Sequence, residues 1–72
     1  MKKVFKLEDL DCAHCAAKME EAIAKLDGVR EANISFLAQK LTIDAEDERF
    51  EEILEKAKKI IRKIEPDCRI AD

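Results

Sequence analysis

The apolar residues of this 72-residue chain change their spacing repeatedly along its length, and that succession of periods restricts the fold more than any single motif does. Lys2 to Glu8 alternates, with Phe5 and Leu7 on one side and Lys6 and Glu8 on the other, which predicts a half-buried strand. Ala16, Met19, Ala22, Ile23 and Leu26 then recur at three- and four-residue steps, the stripe of an amphipathic helix. Gly28 stands where a left-handed C-terminal cap is expected, so the helix should stop between Lys25 and Asp27. From Val29 to Phe36 the alternation returns, with Ala32, Ile34 and Phe36 facing away from Asn33 and Ser35. Leu37-Ala38-Gln39 marks a short turn, and Leu41 and Ile43 alternate with Lys40, Thr42 and Asp44 beyond it, so these two strands form a hairpin. A second helix is expected to open within Ala45 to Asp47. Its stripe is Phe50, Ile53, Leu54, Ala57, Ile60, Ile61 and Ile64, its start is acidic, its end is basic, and Pro66 stops it. Cys68 to Ile70 suffices for a short last strand.

Strand, helix, strand, strand, helix, strand is the order of the split βαβ, ferredoxin-like motif. Each helix has one apolar stripe and each confident strand one apolar face, so a single two-layer core satisfies every element. The expected fold is therefore α+β: a βαββαβ sandwich with a four-stranded antiparallel sheet and two helices on one face. Residues 1–72 are read as one domain, near the lower size at which one core holds a fold unaided.

Composition narrows the function classes. The chain is 47% apolar and 43% charged with a single Gly and a single Pro, a globular balance without linkers. Its apolar runs fall far short of the ~20 residues that span a bilayer, and no signal-peptide core follows Met1-Lys2-Lys3. A soluble cytosolic monomer with no membrane insertion is the expectation. Three cysteines, two of them close together, do not make a disulfide framework and suit a reducing compartment. A net charge of −3 argues against a nucleic-acid partner held by its phosphates, and the sheet lacks the clustered aromatics that stack RNA bases. A cation suits the chain better.

Asp11-Cys12-Ala13-His14-Cys15 supplies the place for one, between the first strand and the first helix. If Cys15 opens that helix, both sulfurs lie within one turn and can converge to ~2.3 Å from one soft ion. The helix N-terminus also favours thiolate, the form that binds metal. A closed zinc site would need further ligands, and the sequence has no second C-x-x-C. A thiol oxidoreductase is the alternative from another class, although Ala13-His14 lacks the Pro usual between redox cysteines. Asp11 can be a helix cap or a carboxylate ligand, and we read it as a ligand beside Cys12 and Cys15. His14 lies between two inward-turned thiols and is read as an exposed loop residue, while Cys68 is either a core thiol or a third thiolate.

The stretch from Phe5 through Leu26 resembles the heavy-metal-associated domain of metallochaperones and of the cytoplasmic N-termini of metal-transporting P-type ATPases. Cys12 and Cys15 match the family's metal-binding pair. Leu10 takes the slot where the family usually has a buried Met, and Met19, Ile23, Leu26, Gly28 and Val29 match its first-helix core and the Gly-Val that begins the second strand. Many copper-binding members have Thr before the first Cys. Asp11 is instead similar to the zinc-, cadmium- and lead-exporting branch, as is Ile64-Glu65-Pro66-Asp67, and Asp67-Cys68 replaces the usual Gly and aromatic. The resemblance implies a non-catalytic module that binds Zn²⁺, Cd²⁺ or Pb²⁺, with Cu⁺ as the alternative. Its implied partner is the transmembrane body of a metal-exporting ATPase or a metal-donor protein.

Overall fold

A computed structural model describes residues 1–71. Strand β1 (Lys2–Glu8) leads into helix α1 (Ala13–Ala24), strands β2 (Val29–Ser35) and β3 (Lys40–Ala45) form the hairpin, and helix α2 (Phe50–Ile64) precedes strand β4 (Arg69–Ala71). The sheet order is β2-β3-β1-β4 with every neighbouring pair antiparallel. This is the ferredoxin-like sandwich that the period changes predict.

Leu7, Leu41, Ile43 and Ala45 from the sheet meet Met19 and Ile23 of α1 and Phe50, Ile53, Ala57 and Ile61 of α2 in one buried cluster. On β1 the alternation holds from Val4 to Glu8: Leu7 is buried and Phe5 half-buried, while Val4 on the other face is 59% exposed. Phe5 packs on Phe50 with ring centroids 6.2 Å apart, and the Lys3 ammonium lies 5.6 Å from the Phe50 centroid.

Element ends depart from the expected bounds for identifiable reasons. Helix α1 starts at Ala13, because the cap is Cys12 and not a residue nearer Cys15. It finishes at Ala24, where the Leu26 N–H bonds to the Ile23 carbonyl, so Gly28 lies too far along to be its cap. Gly28 (φ +94°) instead turns the chain into β2 against α2, and a Cβ there would stand 3.1 Å from Ile53 Cδ1. A shift in register between Val29 and Glu31 lets Val29 pair with Ala45 while Ala32 pairs with Ile43. The second helix opens with a 3₁₀ turn at Asp47–Arg49, and the final strand lies one residue beyond the expected one.

Antiparallel pairing of Lys6 with Lys40 brings the end of β1 and the β2–β3 turn together at one end of the molecule. The C-terminus of α2 reaches the same end, where the Asp11 N–H bonds Glu65 Oε1 at 3.3 Å. The cysteine loop, which follows β1 directly, is thus framed by two segments distant in sequence.

Candidate metal centre

Asp9 turns the chain out of β1 with a left-handed backbone (φ 60°), a conformation that Asp tolerates better than most residues. Leu10 follows, 2% exposed, anchoring the loop in the core beneath the cysteines. Cys12 then holds the N-cap position with extended backbone, and its Sγ accepts the Cys15 N–H at 3.1 Å. The half-buried Cys12 and Cys15 are brought together by this cap.

The cap separates the two thiols chemically. Cys12 has its pKa lowered, chiefly by the hydrogen bond from the Cys15 side chain and then by the Cys15 backbone N–H. Cys15 is pushed up, first by that same side-chain bond, which favours its protonated form, and then by desolvation. The pairing inclines Cys12 toward thiolate and Cys15 toward thiol. Nearby Lys18 partly offsets the rise at Cys15.

Cys68 behaves differently. It is 3% exposed within the core cluster, and burial, assisted by the charges of Glu65, Asp9 and Asp11, pushes its thiol up to about 11. It is a small buried hydrophobe carrying its proton. His14 is exposed, as expected. Asp11 is exposed and does not cap the helix; with Asp9, Asp67, Arg62 and Arg69 it lines a depression whose walls include neither Cys12 nor Cys15. Among the described residues, no three His, Cys, Asp or Glu side chains stand together as a group able to hold a metal.

The residue that the sequence reading did not single out as a site group is Glu65. Its negative charge raises the pKa of Cys12, Cys15 and Cys68 alike, so its carboxylate lies within electrostatic reach of all three sulfurs. Oε1 accepts the Asp11 N–H, whereas Oε2 is buried and has no hydrogen-bond partner among the described residues. Its place just after α2, in the stretch resembling the divalent-metal branch, was the available signal. Only the packing of α2's end against the loop turns that signal into proximity.

Two half-buried thiols, one inclined toward thiolate, with a carboxylate oxygen lacking a donor nearby, are suited to a thiophilic cation. The heavy-metal-associated domain family matches residues 4–68. The cadmium, zinc and cobalt-transporting ATPase of Bacillus subtilis is 29% identical over 66 residues, covering 92% of this chain but 9% of the ATPase. The zinc/cadmium/lead-transporting P-type ATPase of Escherichia coli is 38% identical over 56 residues, 74% of this chain and 8% of that protein. The chain therefore spans less than a tenth of the length of these relatives. The copper chaperone CopZ of Enterococcus hirae is 30% identical over 43 residues, 60% of this chain and 62% of the chaperone. In fold, a solved CopZ metallochaperone superposes with a TM-score of 0.76 at 18% identity, covering 99% of this chain and all of the other. No helix among the described residues is long and apolar enough to cross a membrane. With the family's model matched from Val4 to Cys68 and the paired thiols at the head of α1, the chain belongs to the heavy-metal-associated domain family.

Proposed function

We propose that this domain binds Zn²⁺, Cd²⁺ or Pb²⁺ through Cys12 and Cys15, with a carboxylate, Asp11 or Glu65, moving in to complete the shell on uptake, and passes the ion on as the cytoplasmic N-terminal module of a metal-exporting P-type ATPase. In this role it works as a monomer and catalyses nothing. The supporting observation is the buried Glu65 Oε2, without a hydrogen-bond partner among the described residues, on a carboxylate whose charge reaches both thiols. A buried acceptor left without a donor costs ~1–3 kcal/mol or more, a cost that a coordinated cation removes. Charge favours the divalent ions as well. Two thiolates and one carboxylate carry a summed charge of about −3, so a divalent ion leaves about −1 and Cu⁺ about −2. Oxygen donors suit Zn²⁺ and Pb²⁺, whereas Cu⁺ gains little from them.

Exchange follows from the site's position. Two cysteines and one carboxylate leave room for an incoming thiolate to join before another leaves, which a closed four-ligand site does not. The second reading is a free copper(I) chaperone, supported by the likeness to the Enterococcus hirae protein.

Dissociation constants for Zn²⁺, Cd²⁺, Pb²⁺ and Cu⁺, measured anaerobically against matched competitors, separate the two. Asp11→Asn or Glu65→Gln is expected to weaken the divalent ions by about tenfold or more while leaving Cu⁺ equal or tighter. If neither variant discriminates between divalent ions and Cu⁺, the divalent reading fails.

A further inference from the structure

Gln39 ends the β2–β3 turn with a left-handed backbone (φ 55°), an uncommon state for a residue with a Cβ. Its side chain crosses from the hairpin to the cysteine loop. There Oε1 accepts the Leu10 N–H at 3.1 Å, and Nε2 donates to the Leu10 carbonyl at 2.8 Å and to the Phe36 carbonyl at 2.9 Å. Its own carbonyl accepts the Leu7 N–H at 2.7 Å. Both backbone polar groups of Leu10, a buried residue outside regular structure, are thus bonded to one amide whose remaining donor is tied to its own turn.

A side chain that donates to and accepts from the backbone of the same residue fixes orientation as well as distance, and a primary amide presents both groups in that form. Leu10 is two positions before Cys12, so the clamp sets where the loop leaves the core. The loop's next tether, the Asp11 N–H on Glu65 Oε1, is exposed and longer. That tether joins the two candidate carboxylate ligands, Asp11 and Glu65, whereas the clamp on Leu10 involves no group proposed to bind the ion.

We propose that Gln39 is a positioning residue for the metal site: it holds the base of the cysteine loop through Leu10 and thereby slows release of the ion. This rests on the metal-binding role proposed above. It joins the hairpin turn, whose Leu37 is 95% exposed, to the thiol loop.

The test uses Gln39→Gly and Gln39→Asn. Glycine relieves the left-handed backbone while deleting the clamp, so it separates a contribution to turn stability from positioning of the loop. Asparagine keeps the amide and tolerates the backbone but is one methylene shorter. Both variants are expected to speed hydrogen exchange of the Leu10 amide in the metal-free domain by about tenfold or more, the scale of one lost hydrogen bond. Both should also release Cd²⁺ to excess chelator several-fold faster, followed by thiolate-to-Cd²⁺ absorbance. Parent-like exchange or parent-like Cd²⁺ release in both variants overturns the proposal alone. A parent chain that shows no thiolate-to-Cd²⁺ absorbance overturns the metal-binding reading with it.

Discussion

At the scale of single residues, the two thiols divide their labour. Cys12 accepts the Cys15 N–H and has its pKa lowered, whereas Cys15 is raised by the side-chain bond they share. A metal that takes both sulfurs must displace the Cys15 proton, so protons compete with the ion wherever that thiol is protonated. Affinity is therefore expected to climb as pH rises through neutrality, continuing until Cys15 is itself deprotonated above the ordinary thiol range. Titrations with Cd²⁺ across that span should show it, and a flat profile would contradict the shared-proton arrangement. Cys12→Ser retains a preferred capping oxygen, so circular dichroism should stay near that of the parent while tight thiophilic binding is lost. Cys68→Ala, in contrast, removes a buried protonated sulfur and should cost ~1 kcal/mol of stability with thiolate-to-metal absorbance unchanged. A drop in that absorbance would restore Cys68 as a third ligand.

Elements meet at joints where one residue decides the geometry. Gly28 carries φ +94° between α1 and β2, and a Cβ there would press on Ile53 of α2 and the Arg49 guanidinium. Gly28→Ala is thus expected to lose about 1–3 kcal/mol, measured as a lower denaturation midpoint with an unchanged m-value. Because the joint lies at the end opposite the cysteines, the folded fraction should bind metal as the parent does. Weaker metal binding per folded molecule would show that this joint reaches the loop. Helix α2 needs less explanation: Glu51 and Glu52 sit in its first turn, Arg62 and Lys63 in its last, as the helix dipole favours.

For the whole molecule, small size makes metal binding and folding hard to separate. Chains of this length retain only a few kcal/mol after conformational entropy is met. An ion that binds only the folded form at one hundred times its Kd adds ~2.7 kcal/mol, less whatever the unfolded cysteines bind. Cd²⁺ at such an excess is expected to raise the Tm of the parent clearly and that of Cys12→Ser little. An equal rise in both would place the stabilising ion elsewhere than on the paired thiols.

Much of this domain was legible in one dimension because its signals are local. The period of two on β1 and of 3.6 on α2, the single Pro after that helix, and C-x-x-C before the first apolar stripe each need only neighbours a few residues apart. They determine the βαββαβ order, and with it the layer that buries Leu7, Met19 and Ile53. What tertiary structure decided depends on residues far apart in the chain. Val29 and Ala32 are out of phase for one strand face, and pairing with β3 through a register shift reconciles them. Gly28 reads as a helix cap until α2 is seen packed against it. Glu65 and Gln39 lie 54 and 29 positions from the loop residues they bond, and only packing turns either into a contact. The identity of the two thiols is written in the sequence. Their unequal acidity, the carboxylate within reach of their charge and the amide beneath their loop follow from distances that only the folded chain creates.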